Sequence, residues 1–285
     1  MQGVTGKDGR PALHPPGLPQ KIYGVDFSGA ASAGKKIWIT SGIRKNDRLH
    51  IQDCLRASAL PSSGNERDRC MAALLAFIRK EKTSAFGFNF PFGLPRDLVK
   101  RDSWRDFVVS FSFRYTSAEN FRKTLCTASD GSELKRMTDR ACQTPFSPYN
   151  LRLYRQTYYG ICEVLAPLVW KHQACVLPMQ KARPGRPWLL EVCPASTLKQ
   201  EHLYVPYKGR TSSHYTARKR ILEWIEGPCD ASLPRAVRLI ALGNSDGDAI
   251  DSVVAAFVTF RAVRNQAVTA AFDKKTYLLE GYVYV

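Results

Sequence analysis

One short segment, KIYGVDFS at residues 21–28, sets the pattern for the rest of the chain. Its apolar and β-branched side chains alternate with other residues and a Ser-Gly-Ala turn follows, so we predict a β-strand. Asp26 lies inside this apolar run. A carboxylate is costly there unless a cation or a metal ion partners it. Asp26 is therefore our first candidate functional residue, and a structural ion pair is the alternative.

Four further segments extend this strand into an α/β sheet. Residues 36–41 and 48–54 are strand candidates, and residues 66–80 carry apolar side chains at helical spacing. Residues 83–90 form a short apolar run that a proline stops, which is typical of a buried strand. Three strands, a helix and a strand predict a meander and then a crossover to a strand parallel to the first.

The remainder of the chain is expected to complete one domain around this sheet. We predict a flexible tail at 1–20 and a single domain at 21–285, with a basic, mostly helical insertion at about 91–150 after the fourth strand. After the insertion we predict a helix at 151–172, a strand at 188–192, helices at 218–226 and 248–261, and an extended segment at 276–285.

Three more carboxylates lie in positions that favour a functional site. Glu191 is embedded in the apolar strand candidate WLLEV, and Asp248 and Asp251 are three residues apart on one face of a predicted helix. Small residues continue that face, which we interpret as room for a ligand to approach. The alternative for Asp248 is a place in the first helical turn near the candidate caps Ser245 and Asp246.

Acids on separate parallel strands can meet at the edge of the sheet where those strands end. About four carboxylates near one point require cations. Because the ligands are oxygens without His or Cys, they favour Mg²⁺ or Mn²⁺, one or two ions, over Zn²⁺. Such a centre can hydrolyse phosphodiester bonds.

The chain has a formal net charge of +17, which favours polyanionic partners. Nucleic acid, DNA or RNA, is the expected partner, and an ordinary solvated basic face is the alternative. Aromatic and cationic side chains interleave at 149–159, as on surfaces that stack bases. Our candidate contacts are Arg136, Arg152, Arg155, Lys181, Arg183, Arg186, Lys208 and Arg210, with Arg218, Lys219 and Arg220 as further basic residues.

Other classes of protein are disfavoured. Eight scattered cysteines without a Cys-x-x-Cys pair, and histidines without a zinc-binding spacing, predict reduced thiols and no His/Cys metal site. No apolar run approaches the roughly 20 residues of a membrane span, and the N-terminus lacks the apolar core of a signal peptide. We therefore expect a soluble, cytoplasmic protein.

Five short segments follow one another along nearly the whole chain after residue 20. They are GVD at 24–26, FGFNFPFGLP at 86–95, EVCPA at 191–195, DAIDSVVAA at 248–256 and EGY at 280–282. In that order they resemble a bacterial and archaeal domain-of-unknown-function family described as predicted RNase H-like nucleases. The resemblance implies an RNase H-like mixed sheet flanked by helices, with nuclease acids at Asp26, Glu191, Asp248 and Asp251.

The resemblance also adds two secondary candidates. RMTD at 136–139 is similar to an Arg/Asp element in the family's insertion, which points to Asp139, and the Asp-x-x-Asp of residues 248–251 is similar to that of Holliday-junction resolvases. Asn89 stands where the family usually has an acid; an amide can coordinate a metal but brings no charge. A catalytically impaired RNase H-like protein that binds nucleic acid or acts as a scaffold is therefore the alternative function. Phosphoryl transfer from ATP is a third possibility, because DFSGA at 26–30 is similar to the phosphate-binding turn of actin-like and sugar kinases.

Overall fold

The computed structural model describes residues 17–227, 230–270 and 275–285. Most of the tail expected at 1–20 lies outside these ranges. At its end the chain is attached to the sheet, because Gln20 O accepts a hydrogen bond from Arg44 N at 2.7 Å. Within the described residues, no helix has the length and apolar character needed to cross a membrane.

The protein is built on a mixed, eight-stranded sheet with the order β5-β6-β4-β1-β2-β3-β7, and β8 pairs with β6. The strands are β1 Lys21–Asp26, β2 Trp38–Lys45, β3 Arg48–Arg56, β4 Ser84–Phe88, β5 Cys175–Leu177, β6 Trp188–Val192, β7 Ala231–Ser232 and β8 Val283–Tyr284. β1, β2 and β3 form an antiparallel meander, and β4 lies parallel to β1. The predicted meander and parallel crossover are confirmed. The short strands β5 and β7 were not predicted.

Helices cover both faces of the sheet. They are α1 Ala33–Lys36, α2 Arg67–Lys80, α3 Arg96–Val99, α4 Trp104–Val109, α5 Phe111–Arg114, α6 Ala118–Ala128, α7 Met137–Ala141, α8 Tyr154–Tyr159, α9 Ala166–Trp170, α10 Pro194–Gln200, α11 Ser212–Glu226, α12 Arg235–Gly243, α13 Asp248–Arg264, α14 Ala267–Ala270 and α15 Lys275–Glu280. A 3₁₀ turn covers Ala57–Ala59, and a π-helical turn at Gly160–Leu165 joins α8 to α9. The insertion at 91–150 holds the five short helices α3 to α7, which cover about half of its residues, so it is less helical than predicted.

Alternation along β1 divides its side chains between two cores. Tyr23 and Val25 belong to the core shared with α2 and the insertion helices, whereas Ile22 belongs to the core shared with α11, α12 and α13. Successive side chains of a strand point to opposite faces. Asp26 therefore faces the side of α13.

The helix α13 lies directly against the backbone of the sheet. A Cβ atom at Gly24 would stand 2.1 Å from Ala256 N, and one at Gly87 would stand 1.9 Å from Thr259 Oγ1. The small residues of this helix face are therefore the seam that packs on β1 and β4. Our interpretation that they leave room for a ligand was wrong, because the sheet backbone occupies that space.

The C-terminal segment also differs from the prediction. Residues 276–285 were expected to be extended, but α15 occupies half of them and only Val283–Tyr284 is a strand. Burial of Tyr277 and Glu280, three residues apart, gives α15 one buried face. The Glu280 carboxylate accepts hydrogen bonds from Arg96 N and Met137 N at the starts of α3 and α7, which ties α15 to the insertion.

Candidate functional site

A cavity of about 470 Å³ opens at the sheet edge where β1, β4 and β6 end. Asp26 and Glu191 come from the ends of β1 and β6, Asn89 follows β4, and Asp248 and Asp251 lie in the first turn of α13. All five line this cavity. The four predicted carboxylates therefore line one cavity, and Asp26 and Glu191 do so because the carboxyl ends of parallel strands share one edge of the sheet.

Asp26 is buried and lines this cavity. Asn89 Nδ2 donates a hydrogen bond to Asp26 Oδ1 at 2.9 Å, so the amide at this position partners the acid directly. Burial, together with the negative charges of Asp251 and Asp248, raises the pKa of Asp26 well above its usual range, while Lys208 and Asn89 oppose that rise. The site therefore holds more negative charge than its protein environment readily stabilises.

A lysine lies between the two aspartates of α13. Lys208 Nζ is 2.8 Å from Asp251 Oδ2 and 4.0 Å from Asp248 Oδ1. Partial burial lowers the pKa of Lys208, but attraction to Asp251 and Asp26 outweighs it, so the pKa is raised overall and the ammonium stays charged. Burial raises the pKa of Asp248, and Lys208 opposes this. Lys208 thus acts as the counter-ion of the aspartates.

The segment that carries Lys208 is held in place by two further side chains. Tyr207 OH donates to Asp251 Oδ1 at 2.7 Å, and burial beside Asp251 raises the pKa of Tyr207 well above its usual range, so it remains a donor. Arg218 is buried and donates to the backbone oxygens of Tyr207 and Gly209. Arg218 is thus a structural clamp and not the surface cation we expected. The sequence reasoning missed Tyr207, which has no local signal.

Glu191 has a different set of partners. Arg136 Nη1 and Nη2 donate to its two carboxylate oxygens at 2.8 and 2.5 Å, and Phe92 N donates to Oε2 at 2.8 Å. Burial raises the pKa of Glu191, and the Arg136 charge opposes that rise. Both oxygens of Glu191 are therefore engaged by protein groups.

Asp139 completes this ion network. Its two oxygens accept hydrogen bonds from Arg136 Nε and Nη2, and Oδ2 also caps the backbone N–H of Arg136 at the start of α7. Burial disfavours the charge of Arg136, but Asp139 and Glu191 outweigh it and raise its pKa well above the usual value. Arg136 is 1% exposed, so it is an interior counter-ion and not the nucleic-acid contact we predicted.

Strand register explains why Glu191 and Asp26 do not contact the same cation. Val25 pairs with Phe88 and Phe88 pairs with Glu191 across the parallel strands. Paired residues share a face, and Val25 and Phe88 face the insertion core. Glu191 therefore faces the insertion, whereas Asp26, one residue further along β1, faces α13.

The remaining predicted basic contacts differ in their surroundings. Arg152 is exposed, lines the cavity and makes no ion pair with any residue of the described chain. Arg155 is exposed and pairs with Glu119 at 3.0 Å. Lys181, Arg183 and Arg210 are exposed and Arg186 is half-buried, and none of these four lines the cavity.

The turn after β1 is packed against α8. A Cβ atom at Gly29 would lie 2.5 Å from Arg155 O, and Gln156 Nε2 donates to Phe27 O. This contact closes the Cα side of Gly29, and such close packing against α8 disfavours a phosphate-binding turn at residues 26–30.

As the side chains are placed, no group of three or more His, Cys, Asp or Glu residues in the described part of the chain forms a metal-binding arrangement. The position where a cation would balance Asp248 and Asp251 is occupied by the Lys208 ammonium. A divalent ion would have to replace this ammonium. The oxygen-rich donor set itself is of the kind that Mg²⁺ and Mn²⁺ prefer.

Comparisons with protein-family models, curated proteins and solved structures found no match for this chain.

Proposed function

We propose that this protein is a metal-dependent nuclease with an RNase H-like fold, and that Mg²⁺ or Mn²⁺ binds at Asp26, Asp248 and Asp251 in place of the Lys208 ammonium. The strand order supports the fold proposal: an antiparallel meander, β1–β3, is followed by two parallel strands, β4 and β6, on the other side of β1. The resemblance of the five ordered sequence segments points in the same direction.

One observation carries the functional proposal. Three aspartates, from the end of β1 and the first turn of α13, line one cavity, and the Lys208 ammonium lies 2.8 Å from Asp251 and 4.0 Å from Asp248 and opposes the rise in the pKa of Asp26. Buried carboxylates repel one another, so the arrangement is stable only with positive charge among them. Lys208 supplies that charge from a half-exposed side chain, which can turn toward solvent without breaking the core.

The other residues of the site would orient these ligands. Tyr207 fixes one oxygen of Asp251, and Asn89 fixes one oxygen of Asp26. Arg152 and the displaced Lys208 would face the phosphates of the bound strand. The divalent ion would supply the Lewis acidity that activates water and neutralises charge on the leaving oxygen. Glu191 is not among the proposed ligands, because Arg136 and Phe92 N already engage both of its oxygens.

A cleavage assay tests this proposal. The full-length protein is incubated with labelled single-stranded, duplex, hybrid and branched nucleic acids, with Mn²⁺ or Mg²⁺ and with EDTA. We expect cleavage that needs the metal and that Asp26→Asn and Asp251→Asn abolish. Glu119→Gln is the matched control, because Glu119 is an exposed acid outside the cavity.

Metal binding is measured separately, by the electron-paramagnetic-resonance signal of free Mn²⁺. Loss of Mn²⁺ binding in Asp251→Asn supports the ligand assignment even if the right substrate is missing from the panel. Absence of Mn²⁺ binding to the unmodified protein would rule out the metal centre.

A non-catalytic nucleic-acid-binding protein is the second candidate. Two observations favour it: Lys208 already neutralises the aspartates, and Asn89 contributes an amide where an acid is expected. Such a protein would bind nucleic acid with strong salt dependence, and EDTA would not change its affinity.

A further inference from the structure

Two aromatic rings on the wall of the cavity have no part in the acidic cluster. Phe146 precedes α8 and is half-buried, and Tyr204 lies between α10 and α11 with 48% of its surface exposed. Both rings line the cavity. Phe146 comes from the insertion, and Tyr204 comes from the segment that carries Lys208.

Each ring is paired with a cation. The Arg152 guanidinium carbon is 5.6 Å from the centre of the Phe146 ring, and Lys199 Nζ is 5.2 Å from the centre of the Tyr204 ring. An aromatic face beside a cation suits a nucleotide, because the base stacks on the ring while the phosphate meets the positive charge. Arg152 makes no ion pair with the described residues, so its charge is available for a phosphate.

The size of the cavity restricts which form of nucleic acid can use these rings. A volume of about 470 Å³ lies within the range of a site for one small ligand. The bases of a duplex keep their faces stacked inside the helix and expose them only when unpaired. The bases of a single strand are already unpaired, so their faces can stack on these rings without prior unpairing.

We propose that the substrate is a single-stranded nucleic acid, with unpaired bases stacked on Phe146 and Tyr204 and phosphates directed to Arg152. This inference extends the proposed nuclease function. It rests on that function only in treating the bound strand as a substrate. The predicted binding mode itself needs no metal and no cleavage.

The experiment measures binding of the full-length protein in EDTA by fluorescence anisotropy, at one fixed salt concentration. The probes are a labelled 12-nucleotide single strand of DNA, its RNA counterpart, the matched duplex, and a single strand of equal length and charge with abasic sites in place of bases. We expect single strands to bind about 10-fold or more tightly than the duplex, and about 5- to 100-fold more tightly than the abasic strand. The DNA and RNA arms show which of the two the cavity prefers.

Three variants locate the stacking surface. Phe146→Leu and Tyr204→Leu remove a ring but keep an apolar side chain, and each should weaken binding of the normal single strand about 5-fold or more while leaving the abasic strand unchanged. Phe113→Leu is the matched control, because Phe113 is 88% exposed and lies outside the cavity. Thermal melting verifies that each variant is folded.

Equal affinity for the normal and abasic strands, or for single strand and duplex, would overturn the inference. Unchanged binding by both leucine variants would do the same. These outcomes are independent of the nuclease proposal, since binding is read without metal. Metal-dependent cleavage with no base preference would contradict only the stacking mode. Base-dependent binding without cleavage would contradict only the nuclease proposal.

Discussion

Lys208 Nζ lies 2.8 Å from Asp251 Oδ2, at the position where a divalent cation would neutralise the aspartates of α13. The lysine comes from the segment between α10 and α11, and Arg218 holds that segment through its backbone oxygens. The protein itself therefore places one positive charge beside the acidic cluster. Each of the following predictions depends on this charge balance or on the packing that produces it.

Replacing Lys208 by glutamine should destabilise the protein in EDTA. Breaking a buried ion pair costs about 3–5 kcal/mol, but solvent screens the half-exposed Lys208, so we expect about 1–2 kcal/mol. Mn²⁺ should then raise the melting temperature of Lys208→Gln more than that of the unmodified protein, because the competing ammonium is gone. Lys219→Gln, at an exposed pair with Glu223, is the control. An equal response to Mn²⁺ in both proteins would contradict the replacement model.

Asp26→Asn should change how stability depends on pH in metal-free buffer. The pKa of Asp26 is raised in the folded state, chiefly by burial, so the folded protein binds this proton more tightly than the unfolded chain. Its contribution to stability is fully present below the unfolded pKa of about 3.8 and is lost as pH rises through the folded value. The amide of the Asp26→Asn variant does not titrate, so the variant does not lose this stability as pH rises.

Denaturant unfolding across a pH series tests this sign. Near pH 7 we expect Asp26→Asn to be at least as stable as the unmodified protein, and the advantage should shrink toward about pH 4. Asp102→Asn, at an exposed position, should show no such trend. A deficit of the Asp26 variant that grows with pH would show that the carboxylate is favourably paired.

Glu191→Gln and Asp251→Asn should separate structural from metal-binding roles. The Glu191 substitution leaves the buried Arg136 charge only partly balanced, so we expect about 2–4 kcal/mol of destabilisation with little change in Mn²⁺ affinity. Asp251→Asn should weaken Mn²⁺ binding at least tenfold with little loss of stability. Unfolding curves and Mn²⁺ titrations measure both quantities. If Glu191→Gln lost Mn²⁺ affinity while its stability was unchanged, Glu191 would be a metal ligand, contrary to our proposal.

Gly24→Ala should destabilise the protein by about 3 kcal/mol or more, because the new methyl group meets the backbone of α13 and overpacks the seam. The matched control is Gly243→Ala at the end of α12, where a Cβ has nothing within 4 Å. That control should be neutral or stabilising by up to about 1 kcal/mol. Thermal or chemical unfolding measures the stability of both variants. Equal stability would mean that α13 does not approach β1 this closely.

Local patterns in the sequence determined much of the architecture. Period-two alternation in residues 21–28, helical spacing in residues 66–80 and the apolar run WLLEV predicted β1, α2 and β6, because these periods follow from the geometry of a single strand or helix. Asp26 and Glu191 stood out as carboxylates within apolar strands, and Asp248 and Asp251 as two carboxylates spaced to share one helix face.

Only the tertiary structure decided which charges meet. The face of Glu191 depends on the register between β4 and β6, and the partner of Asp251 depends on where the segment after α10 returns to the sheet edge. The small residues of α13 meet a strand glycine and not a ligand, which no pattern within the helix could reveal. Alternation and helical period are properties of neighbouring residues, whereas register, ion pairing and close packing are relations between segments far apart in the chain.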